Sequence, residues 1–295
     1  MASNASSSDF LDDREQVTEQ VRGAAVLAAA DTVSTTASQQ LMQELSQGAL
    51  FTMSKTEQLE QLKFCQENQH SPSDTQLQAA GFAYVRADGI QPGLGAVAAP
   101  GHNVSMWVYQ GTSKHHDIVS SSIEQGGAWE PHETREVVTK LERFQQARGL
   151  SKEQVYFIDI GANVGYFTVN AAALGYSVIA FEATTPNAFA IRQTLCSNPQ
   201  LQKRVALVNK GLSDAIERCA VVAASDNVGD GHVECNKDAA DLAASGLVVH
   251  GQFDLITLDS YVEGHLEALR QKVGVVKIDV EGFEDKKELE QFRGP

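Results

Sequence analysis

The chain is poor in cysteine, in basic charge and in long apolar runs, and each shortage closes off a class of function. Cys65, Cys196, Cys219 and Cys235 are spread through 295 residues with no CxxC pair. That spacing suggests neither a zinc cluster nor a small disulfide scaffold, and buried free thiols are expected instead. Lys and Arg number 23 against 38 Asp and Glu, for a net charge of −15, and both halves of the chain are acidic. With no basic region to grip phosphate backbones, nucleic acid is not an expected partner. The longest apolar stretch near the N-terminus, Gly23 to Ala30, is eight residues long, whereas a bilayer crossing takes roughly 20, so no membrane span is expected. The first nineteen residues carry five acids against Arg14 alone, the reverse of a secretory leader, and a cytoplasmic location follows by default. Without a secretory route the sequons at Asn4 and Asn103 carry no weight.

What is present falls into three parts. Residues 1–75 are rich in Gln, Ser, Thr, Ala and Glu with little apolar periodicity, which predicts a helical or disordered extension dispensable for the rest. Residues 76–150 hold strand-like pieces at Phe82–Val85 and Val104–Tyr109 among Gly and Pro turns. Val137, Val138, Leu141 and Phe144 then recur at helical steps between Pro131 and Gly149. A small β-containing preface and linking helix are expected, with a domain boundary near 150. From 151 to 295, short apolar runs at Val155–Ile160, Val178–Phe181 and Val205–Val208 alternate with helical stretches at Thr168–Leu174 and Phe189–Cys196. The rhythm is βαβαβ, an α/β fold with a parallel sheet.

The chemistry concentrates at the first of these strands. Val155 to Ile160 runs into Gly161-Ala-Asn-Val-Gly165, where the chain must turn and bare backbone can meet a ligand. Asn163, between the glycines, tolerates a left-handed conformation. Glu182 closes the next strand 21 positions after Gly161, where a carboxylate can bind both hydroxyls of a ribose. A nicotinamide enzyme meets the ribose argument equally well, but its fingerprint is GxGxxG, and the third glycine is absent. Asp159 would also oppose a pyrophosphate, whereas it suits the ammonium and sulfonium of S-adenosylmethionine. At the other end, within Val275 to Glu284, an apolar strand ends in Asp279 with Glu281 two residues on. A carboxylate at a strand end can take the proton that an alcohol must lose as it is methylated. The acids Glu284 and Asp285 read as first-turn placement in a following helix.

These stretches, DIGANVGYFT, IAFEATTPN, GLSD, TLD and VVKIDVEGFE in that order, together resemble the FkbM family of S-adenosylmethionine-dependent O-methyltransferases. The resemblance covers about Val155 to Glu284, with a lead-in at Asp117 to Glu130. It implies a Rossmann-like class I methyltransferase sheet and methyl transfer to a hydroxyl of a carbohydrate or small metabolite. It also implies that Asp159, Gly161, Asn163, Gly165 and Glu182 line the cofactor, with Ser213 and Asp214 near adenine. Asp279 is the expected base and Glu281 its reserve.

Other features stay open or count for little. Asp279 and Glu281 could share a divalent cation, but no third ligand is obvious, and His115, His116 and Asp117 read as a solvated loop. No metal is expected. Cys219–Val222 and His232–Cys235 read as two short strands around a glycine turn, either a loop over the crevice that selects the acceptor or an ordinary surface hairpin. The sequence ends eleven residues after Glu284, so the expectation is a fold lacking its last strands, with Val275–Val280 as a sheet edge. Two alternatives remain: a non-catalytic ligand- or partner-binding module built on the truncated fold, and an NAD-type oxidoreductase. Acceptor and oligomeric state are not legible.

Overall fold

The computed structural model describes residues 52–68, 82–90, 103–110, 117–126, 128–224, 232–237, 239–262, 269 and 271–280. Its first element, α1 (Thr52–Glu67), is built mainly of Lys, Glu, Gln and Leu, all good helix formers. Gln58, Gln61 and Cys65, at steps of three and four, form its buried face. The Gln58 amide donates to the Lys203 carbonyl at 3.1 Å and the Gln61 amide to the Arg192 carbonyl at 2.9 Å, while Cys65 is bonded to Cys196. The expectation of a dispensable extension is therefore corrected for residues 52–67. The helix docks through amides and a sulfur, which leave no apolar periodicity to read. Residues 1–51 and 69–75 lie outside the described residues.

Two antiparallel strands follow, β1 (Tyr84–Ile90) and β2 (Val104–Tyr109). Along β2, Val104, Met106 and Val108 are buried. The N–H groups of Ser105, Trp107 and Tyr109 donate to Asn198 Oδ1, Thr194 Oγ1 and Ser120 Oγ. Side chains thus close an edge that would otherwise invite another strand. Ser120 lies on α2 (Ile118–Gly126), and α3 (Pro131–Arg148) ends at Gly149, whose N–H reaches the Gln145 and Gln146 carbonyls.

The βαβαβ rhythm is present as β3 (Tyr156–Ile160), α4 (Tyr166–Ala173), β4 (Ser177–Phe181), α5 (Thr185–Ser197), a single turn α6 (Pro199–Gln202) and β5 (Val205–Val208). The remaining elements are β6 (Gly211–Leu212), β7 (Glu217–Ala224), β8 (His232–Cys235), α7 (Ala239–Ala244), β9 (Leu247–Ile256), α8 (Leu258–Val262) and β10 (Val273–Ile278). One sheet is wholly parallel, in the order β10-β3-β4-β5. Its strands β3, β4 and β5 are buried along their whole length because both faces are covered. On one face Phe157, Val178 and Leu207 share a core with Val104, Met106 and Val108 of the hairpin, so the core crosses residue 150 without a break. On the other, Ile158, Ile160, Ile179 and Phe181 pack against Leu258 and Val262 of α8. Among the described residues β10 pairs with β3 alone, while α1 packs at the far end against β5. No helix among the described residues is long and apolar enough to cross a membrane.

The second sheet has the order β6-β9-β7-β8, with β6 parallel to β9 and the other pairs antiparallel. The two short strands read in the sequence are β7 and β8. β9 went unread because His250-Gly251-Gln252 interrupts its apolar run. Cys219 stands directly opposite Cys235 and is bonded to it. The expectation of free thiols is therefore wrong, since all four cysteines are paired. Partners 131 and 16 residues apart are brought together by the docking of α1 and by antiparallel register, neither of which is visible as a local motif.

Candidate functional site

The turn from β3 into α4 is fixed by what passes against it. Gly161 has φ +74°, and its N–H and that of Ala162 both donate to the Phe181 carbonyl at 3.0 Å. A Cβ on Gly161 would lie 1.8 Å from the Asp279 carbonyl oxygen. Only glycine fits, because the chain leaving β10 runs against bare backbone. At Gly165, φ +87°, a Cβ would stand 2.8 Å from Ile191 Cγ1 of α5. Asn163 takes a left-handed φ of +53° between them, and its Oδ1 accepts from the Val164 N–H at 2.7 Å.

The Asn163 N–H donates to Glu182 Oε2 at 2.8 Å, joining the turn to the end of β4. Glu182 is only 5% exposed. Its Oε1 accepts from the Thr184 N–H at 2.8 Å, the Thr184 hydroxyl at 2.7 Å and the Asn187 amide at 3.3 Å. Burial pushes the Glu182 carboxyl above the usual carboxylate range against the downward pull of these four donors. Asn187 is held in turn by the Tyr109 hydroxyl, which donates to its Oδ1. Burial raises that phenol well above its ordinary value, so it stays a neutral donor. The hairpin thus reaches Glu182 through Tyr109 and Asn187.

Asp159 is fully enclosed, with Oδ2 accepting from the Thr168 hydroxyl at 2.7 Å. Its Oδ1 lies 3.5 Å from the Lys277 ammonium and has no hydrogen-bond partner. Lys277, whose side chain is 14% exposed, is also 3.5 Å from Asp279 Oδ2 and donates to the Gly161 carbonyl at 3.3 Å. Its ammonium stands 5.0 Å from the centre of the Phe167 ring. Sequence reasoning missed Lys277. The available signal was a lysine inside an apolar strand, penultimate in β10 as Asp159 is penultimate in β3.

A cleft of about 400 Å³ opens at the carboxyl ends of β3 and β4, beside the end of β10. It lies where the strand order reverses, β4 on one side of β3 and β10 on the other, the usual place for ligands in such sheets. One wall is polar and includes Asn163, Glu182, Thr184 and Asn187, with Asp279 at the lip and its side chain 55% exposed. The facing wall is apolar and comes from the second sheet: Leu212, Val221, Val233, Phe253 and Leu255. The hairpin left open in the sequence is therefore part of the cleft.

Of the expected site residues, Gly161, Asn163, Glu182 and Asp279 meet in this cleft. Gly165 lies against α5, and Asp159 lies behind the turn with its charge answered by Lys277. Ser213 and Asp214 do not line the cleft, which takes Gly211 and Leu212 from that segment. The Ser213 N–H donates to the Ile256 carbonyl at 3.0 Å and its hydroxyl to Asp214 Oδ1 at 3.1 Å. Glu281, His115 and His116 lie outside the described residues.

No family model and no curated protein matches the chain. Among solved structures it is similar to an uncharacterized COG1565 superfamily protein from Burkholderia thailandensis, at 14% identity, with 79% of this chain and 66% of that one covered. The TM-score is 0.24, a likeness too slight to carry an argument about fold or activity.

Proposed function

We propose that this chain is an S-adenosylmethionine-dependent O-methyltransferase of the FkbM kind, with a Rossmann-like class I sheet, acting on a hydroxyl of a carbohydrate or small metabolite. The observation that carries the reading is the meeting of Glu182 and the Gly161–Gly165 turn in one cleft at the reversal of strand order. The charge of the site agrees with it. Three carboxylates, Asp159, Glu182 and Asp279, surround the turn with Lys277 as counterion. A ligand bearing a sulfonium and an ammonium suits that balance, while a dinucleotide's pyrophosphate opposes it.

The residues fit such a ligand under one condition. Four protein donors already occupy Glu182, and a carboxylate has about four acceptor sites. Three of those donors crowd Oε1 and one lies on Oε2, so one ribose hydroxyl can join Oε2 directly while a second must displace the Thr184 hydroxyl and the Asn187 amide from Oε1. When bound, S-adenosylmethionine supplies an electrophilic methyl group. In this reading Asp279, at the cleft lip, takes the proton of an acceptor hydroxyl, and its 3.5 Å contact with Lys277 supports the role by holding the carboxylate toward the turn. Calorimetric titration with S-adenosylmethionine, its demethylated product and NAD, followed by transfer assays on a panel of alcohols, tests the reading. Binding of NAD alone would favour the oxidoreductase reading over this one, and binding without transfer a ligand-binding module.

A further inference from the structure

The disulfide on β7 and β8 belongs to a larger group. Cys219, Cys235 and Glu217 place their ligand atoms, two Sγ and a carboxylate oxygen, within 4.8 Å of one another. Alternation along β7 puts Glu217, Cys219 and Val221 on one face, and pairing across to β8 adds Cys235 and Val233. On β9 the residues opposite Glu217 and Cys219 are Leu255 and Phe253. Val221, Val233, Phe253 and Leu255 are cleft residues, so the sulfur pair sits in the face that forms the apolar wall. The carboxylate is held as well, because the Asn236 amide donates to Glu217 Oε1 at 3.0 Å, leaving the second oxygen available.

We propose that Glu217, Cys219 and Cys235 form a redox-switched site for a thiophilic divalent cation, zinc by its chemistry, closed when the two sulfurs are joined. Two thiolates and a carboxylate suit zinc, whereas oxygen-preferring cations do not seek sulfur. Cys219 is 2% exposed while Glu217 and Cys235 are half-buried, so three protein ligands leave a fourth position for water. Reduction by an external dithiol replaces the S–S bond with two S–H groups and closes the reductant's own disulfide. Zinc then takes both sulfurs as thiolates and releases their two protons. The sulfurs must separate from bonding distance to span a metal with Zn–S near 2.3 Å, and rotation of the opposed side chains supplies that change. Disulfide and zinc are thus alternative staples for the same stretch of cleft wall.

The full-length chain is reduced with a phosphine, freed of reagent without oxygen, and titrated with zinc chloride against a chromogenic chelator. One zinc per chain is expected in the reduced protein and none in the oxidised one. Cys219→Ser and Cys235→Ser should each abolish that site, Cys65→Ser should retain it, and Glu217→Gln should weaken it at least tenfold. Cobalt(II) added to the reduced wild type should give the intense visible bands of a tetrahedral thiolate site. Loss of fold on reduction, no uptake of zinc, a weak octahedral cobalt spectrum, or unchanged stoichiometry in Cys219→Ser would each overturn the proposal.

Discussion

Lys277 stands beside Asp159 in parallel register, and its ammonium is 3.5 Å from the unbonded oxygen of that fully enclosed carboxylate. Removing one partner of such a pair leaves a buried charge uncompensated, at about 3 to 5 kcal/mol. Lys277→Met should therefore lower stability by about that much in denaturant titration. The double variant Lys277→Met/Asp159→Asn should regain a large part of it. Equal losses in the single and double variants would mean that the lysine contributes packing rather than charge.

Gly161→Ala should fail to reach the native fold or be severely destabilised, because its Cβ would overlap the Asp279 carbonyl as well as occupying a left-handed φ. Gly165→Ala shares the cost of a left-handed φ but should be milder, since its steric obstacle is the Ile191 side chain, which can shift. Thermal unfolding of the two variants checks the order. A stable Gly161→Ala protein impaired only in ligand binding would instead make the glycine a cofactor requirement alone.

Glu182→Ala should weaken binding of the demethylated cofactor by roughly 1.5 to 3 kcal/mol, as expected of hydrogen bonds to a charged group. Unchanged affinity would remove the ribose assignment. The same carboxyl has a pH signature. Its folded pKa is raised above 4.5, so its contribution to stability is complete below that value and declines as pH rises through the folded pKa. The stability advantage of wild type over Glu182→Gln should shrink as pH is raised through that window. A widening advantage would contradict the sign.

Asp279→Asn, nearly isosteric, should reduce methyl transfer by about 10²- to 10⁴-fold with little change in cofactor affinity, the range for loss of a positioned base. Full activity in that variant would move the base elsewhere.

Cys65→Ser should cost about 2 to 5 kcal/mol, the range for a lost native disulfide. It should also loosen α1, detectable as faster amide exchange along residues 52–67. A change confined to the first turn would show that the Gln58 and Gln61 bonds suffice to dock the helix.

The legible parts of this fold were those written as local pattern. β3, β4 and β5 are short apolar strands buried on both faces, and their positions follow from the sequence to within a residue or two. Gly161 was legible as a sharp turn, but the reason offered, space for a ligand, was incomplete. The Asp279 carbonyl excludes a side chain there, and that carbonyl arrives from 118 residues away. What stayed hidden was written across distance. The buried face of α1 consists of Gln58, Gln61 and Cys65, which satisfy backbone and sulfur partners rather than shedding water. Lys277 acquires meaning only from the register of β10 on β3. The apolar cleft wall depends on β9, a strand whose central His-Gly-Gln breaks every simple alternation.

The Cys65–Cys196 bond encloses β1, β2, α3, β3 and β4 within one covalent ring. A protease that cuts once anywhere between the two cysteines releases no fragment. The nicked protein keeps its full mass on a denaturing gel until a thiol is added, and only then divides in two. Intact mass alone is therefore a poor guide to whether a preparation of this protein has an unbroken chain.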